Sequence, residues 1–176
     1  HFLTDVLPRF VAYSRSEKPC PVLLPETYKK HPYTHESLKL IGAEIIYFNS
    51  SVPLRVKDLF IVSHTADTGN YHPVLVNELR KIFLAGFTKE GNRKIYISRS
   101  QASKRKITNE HEVENLVRSF GYEVHYFENY SLQSQVELMS QSIYLIGLHG
   151  AGLTNMLFMK EKCRVMELRN SNDAHN

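Results

Sequence analysis

The run Ile143-Tyr-Leu-Ile-Gly-Leu-His-Gly-Ala-Gly-Leu-Thr-Asn155 places a short apolar segment directly before three glycines and a histidine. Residues 143–146 have the pattern of a strand buried within a parallel sheet. A turn needs one glycine, and a core strand needs no histidine. Gly147, Gly150 and Gly152 together let the chain turn sharply and let a ligand approach its backbone. A helix over 151–159 is expected next, with its first amide hydrogens, from Ala151 onward, presented to an anion. His149 is placed to donate to a phosphate oxygen, and Thr154 and Asn155 add polar groups in the first turns. The alternative is a tight turn whose histidine bonds a backbone carbonyl. The GxGxxG spacing of a dinucleotide loop is absent, and no Gly-Lys-Ser/Thr follows as in an ATPase loop.

Strand and helix patterns alternate outward from this point. Residues 94–98, 122–127 and 164–168 are further expected strands. Asn109 and Glu112 have capping-box spacing before a helix with Val113, Leu116, Val117 and Phe120 as its apolar stripe. Ser131 caps a helix carrying Leu132, Val136 and Met139. Earlier in the chain, 1–16 is expected to be helical, with Pro8 near its start, and 21–25 forms a strand. A helix over 31–41 has Leu38 and Ile41 on one side, and a strand follows over 44–48. Residues 54–63 are expected to hold one or two more strands. Pro73 opens a helix running to about residue 87, with Val76, Leu79 and Phe83 at helical spacing. The predicted class is α/β, with mostly parallel, Rossmann-like sheets flanked by helices.

At 176 residues the chain has room for one substantial core or for parts of two. No apolar run approaches the length of a membrane span, and no signal-peptide pattern opens it. His1-Phe-Leu-Thr-Asp5 already has the look of structured sequence, so a chain incomplete at both ends is expected. Cys20 and Cys163 form neither a metal pair by spacing nor a disulfide framework, which favours a reducing compartment. The net charge is +4, but residues 89–106 alone carry seven basic residues against Glu90, which leaves the remainder net negative. Such a local field suits an anionic partner, whether phosphate, nucleotide or nucleic acid, although a solvated loop would look the same.

Ligands of open parallel sheets bind beyond the carboxyl ends of the strands. Ser98 and Arg99, Glu128, His149 and Glu167 all fall at or near such ends. Arg99 and Arg105 flank the loop Ser100-Gln-Ala-Ser-Lys104, and two guanidinium forks could neutralise a diphosphate. Either arginine could instead pair with Glu110 or Glu128.

Taken together, Arg99, Arg105, Asn109-Glu110, Glu128, the block 147–155 with Phe158-Met159, and Glu167-Leu168 resemble the glycosyltransferase 61 family, formerly a domain of unknown function. The opening His1-Phe-Leu-Thr-Asp-Val-Leu-Pro-Arg9 is similar to that family's His-aromatic-x-x-Asp/Glu-x-Leu-Pro-Arg motif. The resemblance spans nearly the whole chain and is densest over 93–168. It implies a GT-B arrangement of two Rossmann-like domains. Residues 1–70 would be the end of the acceptor-side domain, 71–90 a linking helix, and 91–176 a truncated nucleotide-sugar domain.

The resemblance further implies an inverting transferase using a nucleotide sugar, often UDP-linked, with no cofactor and no essential metal. The basic loop would supply the charge that a divalent cation supplies elsewhere. The implied donor site comprises Arg99, Arg105, His149, Gly150, Ala151, Gly152, Thr154, Asn155 and Glu167, the last toward ribose hydroxyls. Glu110 and Glu128 are secondary candidates. Asp5 is the first choice for the base and His1 the second; Asp5 could equally cap a helix or pair with Arg9. The implied partners are a nucleotide sugar and a saccharide or glycan acceptor, as in capsular or surface polysaccharide synthesis, without nucleic acid. A bacterial member would work in the cytoplasm, with peripheral association at the inner face of the membrane. A eukaryotic member would work in the Golgi or ER lumen. The rival reading is a non-catalytic phosphate- or nucleic-acid-binding or interaction module with the same fold.

Overall fold

A computed structural model describes residues 2–15, 20–67, 70–87 and 90–170. They fall into two compact units, one ending at Phe83 and the other beginning at Leu84. His1 lies outside the described residues.

In the first unit a π-type turn, Phe2–Val6, runs into α1 (Leu7–Ser14), with Pro8 in its first turn, where a missing N–H removes no helical bond. Strands β1 (Val22–Pro25) and β2 (Ile45–Phe48) pair in parallel, Val22 opposite Ile45. Between them lies α2 (Pro32–Leu40), which buries Leu38. α3 (Pro73–Leu84) opens on proline and buries Leu75, Leu79 and Phe83. The strands expected over 54–63 are not formed among the described residues, and Leu54, Leu59, Phe60 and Ile61 are exposed. A strand needs a partner for its backbone groups, and here Pro53 and Lys57-Asp58 interrupt the apolar run before one can align.

The second unit is a four-stranded parallel sheet in the order β4–β3–β5–β6, formed by Glu123–His125, Arg93–Ile97, Ser142–Leu148 and Arg164–Leu168. Ile97 lies opposite both His125 and Gly147, and Gly147 lies opposite Glu167, so the strands finish at one level. Alternation along β3 assigns the two faces. Tyr96 and Ser98 meet α4 (Glu110–Ser119), whereas Ile97 packs toward Gly147 and Gly152 on the opposite face. α5 (Leu132–Ser140) is capped by Ser131, whose Oγ accepts from the Ser134 amide at 3.1 Å, and it buries Leu132, Val136 and Met139.

Three local expectations need correction. Leu116 and Phe120 are exposed at 58% and 65%, while α4 turns Glu110 and Val117 inward. Its carboxylates face the hydroxyls of β3, and those bonds set the rotation of the helix. Asn109 makes no side-chain cap; its Nδ2 donates to Glu112 Oε2 at 3.0 Å instead of its oxygen accepting a backbone amide. The segment Ala151–Phe158 winds as a 3₁₀ helix rather than an α-helix, with the Leu153 amide bonded to the Gly150 carbonyl at 3.1 Å. A glycine and a threonine early in that segment are weak α-formers, which favours the tighter winding.

Beside α5 a pocket of about 390 Å³ is lined by Arg93, His125, Tyr130, Ser134, Glu137 and Gln141. Arg93 donates through both arms of its guanidinium to Glu123, and this pairing holds that carboxyl below its ordinary range. Burial pushes the His125 imidazole down, despite Glu123 Oε2 at 3.4 Å. Folded His125 therefore stays neutral where the unfolded chain is already protonated. In that window the unfolded state binds more protons, and stability rises with pH. Urea unfolding should show stability falling as pH drops below about 6.5, well before carboxylates titrate near about 4.3. His125→Gln should flatten that slope; an unchanged slope would refute the assignment.

Candidate functional site

Two loops leave the sheet at the level where the strands finish, one after β3 and one after β5. The first is held by α4. Buried Glu110 accepts from the Tyr96 hydroxyl at 2.6 Å and from the Arg99 amide at 3.1 Å through Oε1. Its Oε2 is buried without a partner. Burial, with the Glu110 carboxylate beside it, pushes the Tyr96 phenol far above its ordinary value, so the hydroxyl remains a donor. One helical turn on, Glu114 accepts from Ser98 Oγ at 2.7 Å and from the Tyr126 hydroxyl at 3.2 Å. These bonds fix the point at which the basic loop departs.

Arg99 then folds back on that loop, donating to the carbonyls of Lys104 at 2.9 Å and Arg105 at 3.1 Å. Its guanidinium closes the loop. Arg105 has φ +56°, a left-handed conformation costly for a residue with a side chain. Its guanidinium lies against the second loop, because a Cβ placed on Gly150 would sit 3.4 Å from Arg105 Nη1. Gly150 itself has φ +150°, which a side chain rarely tolerates. Among the described residues no carboxylate pairs with Arg99 or Arg105, so the ion-pair alternative is not what the structure shows.

In the second loop the His149 amide donates to the Leu168 carbonyl at 2.8 Å, pinning the turn to β6. His149 Nδ1 lies 2.7 Å from Glu167 Oε1, and Arg169 Nε is 3.9 Å from the other carboxylate oxygen. Asn155 is buried; its Nδ2 donates to the Gly152 carbonyl at 3.1 Å, and its Oδ1 has no partner. Ala151 is exposed and Thr154 half-buried. Glu128 is exposed in the turn Phe127–Asn129, which Asn129 ties to the basic loop by a 2.9 Å bond to Gln101. The structure thus brings Arg105, His149, Gly150 and Glu167 into one neighbourhood, with Arg99 supporting it. Glu110 is a buried anchor.

Asp5 belongs to the other unit. Its Oδ1 accepts from Arg9 at 2.7 Å, the pairing the sequence left open, and His64 Nδ1 approaches it at 3.4 Å. His64 also lies 2.7 Å from Arg9. Sequence reasoning missed His64, Tyr96 and Glu114. For the last two a signal existed: Glu110 and Glu114 are one helical turn apart, and Tyr96 and Ser98 share a strand face. His64 gave none.

The glycosyltransferase 61 family model matches residues 1–166. The chain is also similar to curated EGF domain-specific O-linked N-acetylglucosamine transferases from Rattus norvegicus, Pan troglodytes and Mus musculus. Each is 26% identical over 153 residues, covering 81% of this chain and 29% of the relative. The chain therefore spans under a third of the length of those relatives.

Removing the Tyr96 hydroxyl tests the anchor. Tyr96→Phe should lower stability by about 1–3 kcal/mol in urea unfolding, because a buried carboxylate loses one of its two donors. It should also speed amide exchange at Arg99. A variant as stable as the parent, with Arg99 equally protected, would remove Glu110 from this role.

Proposed function

The chain belongs to the glycosyltransferase 61 family, and we propose that it forms part of an inverting, metal-independent glycosyltransferase using a UDP-linked sugar. The observation that carries this reading is the Arg105 guanidinium against the backbone of Gly150, beside His149. A loop rich in cations and a glycine turn at the start of a helix form a neighbourhood suited to a diphosphate. The first amides of a 3₁₀ helix have no intrahelical acceptor and can add to it. Segment 91–176 would supply the donor side of a GT-B enzyme and 1–70 part of its acceptor side, with 71–90 as the link.

In the reaction an acceptor hydroxyl attacks the anomeric carbon while the bond from that carbon to the diphosphate breaks. The electron pair leaves with the diphosphate, where Arg105 and His149 stabilise the charge as it develops. The acceptor's proton passes to a base, for which Asp5 is the candidate, released from Arg9 as substrate binds. Arg99 acts by holding the loop, and Asn155 by shaping the turn around Gly152. The acceptor we favour is a saccharide hydroxyl of a glycan or surface polysaccharide. The names of the matched relatives supply a second acceptor class, a hydroxyl on an EGF domain.

Calorimetric titration of UDP, with GDP and CMP as controls and with or without EDTA, tests the donor half. UDP should bind selectively in EDTA, and Arg105→Ala should weaken it about 10- to 100-fold, the range for a lost charge-assisted bond. Asp5→Asn should leave UDP binding intact but slow transfer by about 10²–10⁴-fold. Absence of binding by any nucleotide to the full chain would overturn the transferase reading. Salt-sensitive binding of random oligonucleotides that UDP does not displace would favour the nucleic-acid module instead.

A further inference from the structure

We infer that Glu167 is a positioning residue that acts through His149, rather than a direct contact to the nucleotide ribose. The inference rests on the donor-site reading above. The supporting geometry is direct: His149 Nδ1 and Glu167 Oε1 are 2.7 Å apart, and the His149 amide is fastened to the neighbouring residue of β6. A carboxylate only accepts, so Nδ1 must carry a proton in the pair. That fixes the tautomer and leaves Nε2, which has no hydrogen bond among the described residues, as the nitrogen offered to a ligand.

The consequence follows from the donor inventory. In the neutral pair Nε2 is a bare acceptor and repels a phosphate oxygen; with a second proton it becomes a charged donor. A phosphate oxygen can therefore be met by Nε2–H only in the doubly protonated ring, with Nδ1–H held by Glu167, and the carboxylate keeps the ring in that orientation. Gly147, directly opposite Glu167 in the sheet, carries no side chain to compete for the carboxylate.

The test has two arms on the full chain. Nitrogen-15 NMR of the histidine rings without nucleotide, assigned with His149→Asn, reads the pair independently of any donor. The neutral His149 ring should carry its proton on Nδ1, and Glu167→Leu should shift the ring toward the Nε2-protonated tautomer. An Nε2-protonated neutral ring in the parent, or a tautomer unmoved by Glu167→Leu, overturns the inference whatever UDP does. The second arm titrates UDP and 2′-deoxy-UDP into the parent, Glu167→Leu, His149→Asn and the double variant. Glu167→Leu should weaken UDP several-fold with discrimination between the two nucleotides unchanged, and should add nothing in the His149→Asn background, as a residue acting through the ring requires. Loss of that discrimination, or an equal effect without the ring, would overturn the inference. If the pair is present but UDP does not bind, the donor reading fails, and with it the phosphate contact.

Discussion

A carboxylate taken out of water must be surrounded by donors or it destabilises the fold around it, and Glu110 imposes that constraint here. Its Oε1 has two donors, the Tyr96 hydroxyl and the Arg99 amide, one from within β3 and one from just beyond it. Satisfying them rotates α4 so that its acidic edge, not its Leu116–Phe120 edge, meets the sheet. The rotation then places Glu114 over Ser98, and the departure of the basic loop is fixed at two successive positions. The loop's course follows from that start. Arg99 closes it by bonding its own carbonyls, and Arg105 emerges in a left-handed conformation. Backbone strain of this kind persists only where surrounding bonds over-determine it.

The second loop is fixed by different means. Parallel pairing of β5 with β6 carries through to Leu168, and the amide of His149 extends that ladder by one bond. The chain then reverses at Gly150, where only a glycine fits comfortably, and enters the 3₁₀ helix. Because β3 and β5 are neighbours and finish level at Ile97 and Gly147, the two loops meet without either needing to be long. The topology alone brings the cationic segment to the glycine turn. This explains how residues some fifty positions apart in sequence come to share one anion-sized neighbourhood.

What was legible in the sequence were the features that repeat. Buried strands such as 143–146 and helices with stripes such as Leu132, Val136 and Met139 follow from period and length, and the parallel class follows from their alternation. The family motifs pointed to the loops themselves. Features that depend on a partner distant in the chain were not legible. The 54–63 run has strand composition but no ladder partner among the described residues. The capping box at Asn109 was a spacing without the geometry. α4 looked amphipathic about the wrong axis because hydroxyls on β3 make its carboxylates the inward-facing groups. For Glu167, the sequence could place the residue late in a strand but could not show that register sets it beside a histidine two positions past its cross-strand partner, Gly147.

Three carboxylates of the second unit are committed elsewhere than to the loop's cations: Glu110 and Glu114 point into the fold toward hydroxyls and an amide, and Glu167 toward His149. None of the three is paired with the guanidinium of Arg99 or Arg105. The positive field of residues 89–106 is therefore not cancelled locally, even though the rest of the chain is net negative. Had the inward acids been apolar, the loop would lose its anchor; had they faced outward, they would have neutralised the arginines. The same side chains thus hold the loop in place and leave its charge available for an anion.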